Sequence, residues 1–156
     1  MKSKIKITRE MNLKVLSDQM SNLAAKLILQ ALELIDKEKD EFIPQNEEDA
    51  TYAQKIEKTE CKINWNLSAK NIIAKINALY PNPGTWFQMN GSRIKIIKAI
   101  EVEEKGLPGE IINENFTIAC AENAIQILEL KKEGKNITKS GEFLKGNKLI
   151  IGSNIS

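Results

Sequence analysis

The sequence predicts an α+β fold in which a long N-terminal helix and a linker precede a small antiparallel β-barrel with one short helix. Three observations predict it. Apolar residues recur every three or four positions over residues 10–36, an acidic stretch with a proline follows, and short β-type segments separated by turn residues begin after residue 80. We therefore expect an N-terminal helical segment at 1–40, a linker at 41–60 and the β domain at 61–156.

The predicted N-terminal helix has an apolar stripe along one face. No Gly or Pro interrupts the segment, and Thr8 is the expected N-cap. A helix of this length extends about 40 Å, at about 1.5 Å per residue. Because a small β domain offers no groove that long, the stripe requires another partner. We predict an interface with a second chain, or a homodimer interface, at Leu13, Leu16, Met20, Leu23, Leu27 and Leu34.

The β domain is expected to open with its one helix. Ser68 is the expected N-cap, the helix runs to about Leu79, and Pro81 ends it. Strands at Thr85–Met89 and Arg93–Val102 then flank an Asn-Gly pair, the pattern of a two-residue type I′ hairpin. Further strands are expected at 110–112, 116–121, 125–130 and 148–152. Five or six short strands with one helix fit a closed or half-closed barrel of the OB type.

Composition excludes several kinds of catalytic site. The sequence contains no histidine, so Ser-His-Asp and Cys-His arrangements and His-ligated metal sites are excluded. The carboxylate pairs Glu47-Glu48 and Glu103-Glu104 lie beside turn residues and are typical of solvated charge. Cys61 and Cys120 are far apart and favour two reduced thiols. We therefore predict no catalytic residue, no metal site and no cofactor in this chain.

The N-terminus gives no membrane signal. Its first six residues are basic, but no apolar segment follows them, and no run in the sequence approaches the length of a membrane span. We therefore predict a cytoplasmic protein with no membrane partner.

Positive charge is concentrated in the second half of the chain. Residues 61–156 carry 13 Lys and Arg against 9 Asp and Glu, whereas residues 1–60 carry 10 against 12. The densest group is Lys131, Lys132, Lys135, Lys139, Lys145 and Lys148. These lysines could follow a phosphate backbone, or they could be a solvated surface produced by a bias towards Lys, which supplies 21 of the 23 basic residues.

The predicted hairpin extends this candidate nucleic-acid site. Arg93, Lys95 and Lys98 lie on its second strand, where strand alternation places Lys95 and Lys98 on opposite faces. Trp65 and Trp86 could stack on bases. Since both stand at predicted strand starts, we favour the alternative that both fill the core of the small barrel.

Several segments resemble the C-terminal domain of the methionyl-tRNA formyltransferase family. The segment from Glu47 to Ile56 is similar to the family's acidic pair followed by ATYAxKI, and Ile63-Asn64-Trp65 to its I-D-W. The segments Pro81–Trp86 and Pro108–Ile111 are similar to its PxPGxW and PGxI elements, and Gly134 to Gly146 to its closing GKxM…FLxG. The resemblance extends through nearly the whole chain, and residues 10–36 resemble the last helix of the family's catalytic domain.

The resemblance implies a tRNA-binding role for the basic β domain. The family transfers a formyl group from 10-formyltetrahydrofolate with an Asn, a His and an Asp in an N-terminal domain, which this sequence lacks. We therefore expect tRNA as partner, no formyl transfer by this chain alone, and a separate catalytic-domain chain as a further partner through the N-terminal helix. Asn64 and Asn77 replace the family's usual Asp and Arg. Two alternatives to tRNA binding are a protein-interaction module and a remnant without a selected role.

Overall fold

The computed structural model describes residues 1–155, which form two compact units, Met1–Ile56 and a second unit that begins at Glu57. The first unit contains helix α1 (Leu13–Asp36) and a short 3-10 turn at Glu47–Asp49. The predicted N-cap Thr8 is wrong, because α1 begins later: the Asn12 side chain accepts a hydrogen bond from Val15 N (3.1 Å). Among residues 1–155, no helix combines the length and apolar character needed to cross a membrane.

The second unit combines two α-helices with one six-stranded antiparallel sheet, which confirms an α+β fold. Its elements are α2 (Ala69–Leu79), β1 (Thr85–Met89), β2 (Ser92–Val102), β3 (Ile111–Asn113), β4 (Thr117–Ala119), β5 (Ala124–Lys132), β6 (Ile137–Lys139) and α3 (Ser140–Lys145). The Ser68 cap of α2 is as predicted, with its Oγ accepting from Asn71 N (3.3 Å).

The sheet has the order β1-β2-β5-β4-β3, with β6 paired to β5. Among the described strands no ladder joins β1 to β3, so the sheet is open and the predicted barrel closure is not confirmed. Each outer strand is covered by a short segment instead. Ile63 N donates to Trp86 O (2.8 Å) at the β1 edge, and Ile155 N donates to Gly109 O (2.9 Å) beside β3. These pairings leave little of either edge free to bind another strand.

Aromatic residues form the centre of the core. Phe87 and Phe116 are fully buried and meet edge to face at 6.2 Å, and Phe116 stacks on Phe143 at 6.0 Å. Trp65 meets Phe87 at 5.7 Å. Along β1, Thr85, Phe87 and Met89 are buried whereas Trp86 and Gln88 are not. This alternation gives the sheet one face towards the core and one outer face.

The end of the chain differs most from the sequence-based expectation. The predicted strand at 148–152 is wrong: residues 148–150 have no regular structure, residues 151–152 form a turn, and the isolated bridge lies further on, between Glu110 and Asn154. Strand β6 and helix α3 were not predicted from the sequence, so the second unit has two α-helices where one was predicted. Both elements are short, three and six residues, and too brief to show a periodic pattern.

Candidate functional site

Register places three side chains in a row across the outer face of the sheet. Trp86 on β1 lies opposite Lys95 on β2, and Lys95 lies opposite Lys131 on β5. Directly opposed residues of antiparallel strands share a face. Lys95 is held in place by its Nζ, which donates to Pro83 O (2.8 Å) in the turn before β1. The structure therefore brings together three residues that are distant in the sequence.

A β-bulge moves Lys98 onto the same face. The register between β2 and β5 shifts after Ile96, so that Lys98 lies opposite Glu129. Glu129 is two residues from Lys131 and therefore shares its face. The prediction that Lys95 and Lys98 lie on opposite faces is wrong, because the bulge interrupts the two-residue alternation.

Lys139 on β6 joins the same surface. It is exposed and lies opposite Glu129, which thus has a lysine on either side across the sheet. We call Arg93, Lys95, Lys98, Lys131 and Lys139 the outer-face cations. The acidic residues Glu129 and Glu133 lie among them, and in residues 1–155 neither forms an ion pair with these five. The surface therefore carries a net positive charge.

The guanidinium of Arg93 lies over the ring of Trp86. The guanidinium carbon is 4.1 Å from the ring centroid, a cation–π distance. The two residues are diagonal neighbours, since Arg93 pairs with Gln88 and Trp86 with Lys95, and long side chains reach across such diagonals. The interpretation of Trp86 as a core residue is wrong: Trp86 is half-buried on the outer face, whereas Trp65 is buried as predicted.

The other predicted lysines are dispersed. Lys132 lies opposite the buried Ile94 and so faces away from Lys131, and Lys135 is exposed in the turn between β5 and β6. Lys145 ends α3 and forms an ion pair with Glu142 (2.8 Å). Lys148 lines an open cleft of about 400 Å³ between the tip of the β1–β2 hairpin and the end of the chain. The structure thus divides the six lysines of 131–148 into two on the outer face and four elsewhere.

Both cysteines are buried. Cys61 and Cys120 are free thiols. Burial raises the pKa of the Cys120 thiol to about 11, with the Glu101 charge adding to the effect, so Cys120 stays protonated at neutral pH and is a poor nucleophile. Within residues 1–155 no three Cys, Asp or Glu side chains are grouped as metal ligands. The outer-face cations are therefore the strongest candidate site in this unit.

The predicted interface stripe on α1 is only partly exposed. Leu16, Leu23 and Leu27 are half-buried, and with Met20 they line a groove shared with N-terminal residues 3–7. Leu13 and Leu34 are exposed. Exposed apolar side chains also occur outside the predicted stripe, at Val15, Ile28, Leu29, Leu32 and Ile35. This second set lies outside the predicted stripe, and a role for α1 as an interface stays a prediction.

A family model of the formyl transferase C-terminal domain matches residues 55–148, which include every strand and the outer-face cations. This chain belongs to that family. Among its relatives, the methionyl-tRNA formyltransferase of Pelagibacter ubique is 39% identical over 154 residues, and that of Brucella abortus is 36% identical over 153. These alignments include 98% and 96% of this chain. The chain spans about half the length of each of these relatives.

Solved structures give the same fold. A multiply substituted variant of HypX from Aquifex aeolicus is 26% identical, with a TM-score of 0.62 over 81% of this chain and 24% of its own. HypX in complex with tetrahydrofolic acid matches 85% of this chain at 23% identity, also with a TM-score of 0.62. The second likeness supports the fold alone.

Proposed function

We propose that the second unit holds tRNA through the outer-face cations, as the RNA-binding part of a methionyl-tRNA formyltransferase-like protein. The observation that carries the proposal is the row of basic side chains brought together across β2, β5 and β6. Positive groups at strand spacing can contact successive phosphates of a nucleic acid and release its counterions. The names of the relatives support tRNA as the particular nucleic acid.

The mode of binding follows from the kinds of side chain present. Four of the outer-face cations are lysines, which act as point charges and carry no planar fork for reading bases. They position a phosphate backbone and carry no direct sequence information. We therefore expect affinity that falls with salt and only weak discrimination between tRNAs by this unit alone.

Formyl transfer is not a property of the residues in this chain. The resemblance implies for the family 10-formyltetrahydrofolate, a catalytic His and a Ser-Leu-Leu-Pro loop that binds the folate, and this sequence contains neither a His nor that loop. The residues present therefore do not fit a folate site. We propose that the chain binds tRNA in the cytoplasm and that the chemistry requires the part of the relatives that it does not span.

Binding of initiator tRNA, followed by fluorescence anisotropy, tests the proposal. The titration is made at about 50 and 200 mM salt, with an elongator tRNA as control. We expect micromolar or tighter binding at low salt, with a log–log salt slope of about −3 to −5 for roughly four to six phosphate contacts. Absence of binding at the lower salt concentration would overturn the proposal, and so would binding that does not change with salt.

A further inference from the structure

We propose that Trp86 and Arg93 form a clamp for one unpaired nucleotide of an RNA, in which a base stacks on the pair and the adjacent phosphate is held by the guanidinium edge. The proposal rests on the proposed function, since it concerns the same face of the sheet. It adds a contact of a different physical kind from the lysines. The lysines attract phosphate at a distance, whereas stacking requires an exposed planar surface and a base that has left its helix.

The geometry leaves the binding edge of Arg93 open. The guanidinium carbon lies 4.1 Å from the centroid of the Trp86 ring, and the five N–H donors of a guanidinium lie in its own plane, so one that stacks through a face keeps them for other partners. Across residues 1–155, Arg93 has no carboxylate within ion-pair distance. Its side chain is exposed. An arginine fixed in orientation by an aromatic ring and open at its edge can bind a phosphate with two parallel hydrogen bonds.

The choice of arginine at this position is informative in such a lysine-rich chain. Only Arg9 and Arg93 are arginines among 23 basic residues, and Arg93 is the only one in the second unit. A lysine at position 93 would give the same positive charge and the same contribution to solubility. It would not supply the planar fork or the stacking surface. The side chain present is therefore the one that a stacked phosphate clamp requires.

The surroundings favour an RNA strand over a small ligand. Trp86 and Arg93 lie on an open sheet face, and the cleft of about 400 Å³ around Lys148 and the hairpin tip is lined by other residues. Lys95 lies beside Trp86 and Lys131 lies beyond it. A phosphate at Arg93 would therefore be followed by further cations along the row. A chain of phosphates joined by flat bases matches this arrangement of one stacking site and a basic strip.

The test uses the full chain with two variants, Arg93→Lys and Trp86→Leu. Arg93→Lys keeps the charge and removes the fork and the stack. Lys135→Arg is the matched control, because it exchanges the same two residue types at an exposed turn position that is not on β1 or β2. Two quantities are measured: the affinity for initiator tRNA as a function of salt, and the quenching of tryptophan fluorescence by a hexauridylate. Trp65 is buried, so quenching reports on Trp86.

We expect Arg93→Lys to weaken tRNA binding about tenfold with an unchanged salt slope, since the charge is kept. Hexauridylate should quench the wild type and leave Trp86→Leu unaffected. If tRNA binds the wild type but Arg93→Lys binds equally well and hexauridylate causes no quenching, the clamp is wrong and the proposed function stands. Quenching by hexauridylate without tRNA binding would support the clamp and overturn the proposed function. Equal quenching by a polyglutamate peptide would overturn RNA as the ligand.

Discussion

Lys95 and Lys131 lie directly opposite each other on the outer face, across β2 and β5. Two like charges at this spacing destabilise a pair of strands, and among the described residues neither ammonium has a carboxylate in ion-pair distance. Lys95 Nζ donates to a neutral acceptor, Pro83 O, whereas within residues 1–155 Lys131 Nζ donates to no acceptor. The pair therefore opposes folding, and a phosphate bound between the two lysines would relieve the repulsion.

Replacing Lys131 should accordingly stabilise the protein and weaken RNA binding. We expect Lys131→Thr to raise the free energy of unfolding by about 0.2–1 kcal/mol, because Thr removes the repulsion and suits an exposed strand position. Urea denaturation measures the change. Lys135→Thr, in the following turn, should leave stability within about 0.5 kcal/mol of wild type. A loss of stability in Lys131→Thr would show that the opposed lysines are not under strain.

The aromatic core should depend strongly on Phe87. This side chain is fully buried and contacts both Trp65 and Phe116 edge to face. We expect Phe87→Ala to cost about 3–5 kcal/mol through lost burial and the cavity left behind. Gln88→Ala, the exposed neighbour on β1, should cost well under 1 kcal/mol. Thermal or urea unfolding of the two variants measures these losses in the free energy of unfolding. Equal losses in the two variants would place Phe87 outside the core.

Two buried hydroxyls should respond in opposite ways to removal. Ser140 Oγ donates to Ile127 O in the core, whereas within the described chain Thr85 Oγ1 is buried with no partner. We expect Ser140→Ala to cost about 1–3 kcal/mol, since it leaves a buried carbonyl unsatisfied. Thr85→Val should be neutral or stabilising, because it replaces an unsatisfied polar group with an apolar one of similar shape. A stability loss of equal size in both variants would mean that Thr85 has an acceptor.

Cys120 should make stability decrease at alkaline pH. Burial raises its pKa in the folded protein from about 9.0 to about 11. Between these two pH values the thiol is deprotonated in the unfolded state and still protonated in the folded state. Raising the pH therefore stabilises the unfolded state relative to the folded state, and the free energy of unfolding decreases. We expect the free energy of unfolding to fall from pH 9 to pH 11 more steeply in wild type than in Cys120→Ala. Parallel pH profiles for the two proteins, measured by urea denaturation, would show an unperturbed thiol.

Local signals were sufficient to predict α2 and the first hairpin. Ser68 caps a periodic apolar segment, and Asn90-Gly91 joins two alternating segments at a two-residue turn. Each feature depends on residues only a few positions apart, so it can be predicted from local sequence without the tertiary fold. The end of the chain lacks such signals. Residues 148–152 are apolar enough for a strand, but the β3 edge pairs chiefly with residues further on.

The candidate site was predicted by composition and not by arrangement. The lysines of 131–148 form a charge cluster in the sequence. In the structure, side-chain alternation along β5 and the turns after it place most of them away from Lys131. The shared face of Lys95 and Lys98 depends on a bulge, and the Arg93–Trp86 stack depends on the register of β1 against β2. Register is a long-range property of strand pairing. The basic hairpin residues could be identified from the sequence, but their common surface could not.

We propose that the outer face, and not the lysines in general, holds tRNA. The most direct measurement compares the log–log salt slope of initiator tRNA binding in two double variants, Lys131→Gln/Lys139→Gln and Lys145→Gln/Lys148→Gln. Each removes two positive charges, so net charge is matched. We predict that the first slope becomes shallower by about 1.4–1.8, at about 0.7–0.9 per lost phosphate contact, and that the second stays at the wild-type value. Equal slopes in the two variants, or a larger change in the second, would contradict the assignment of the site to this face.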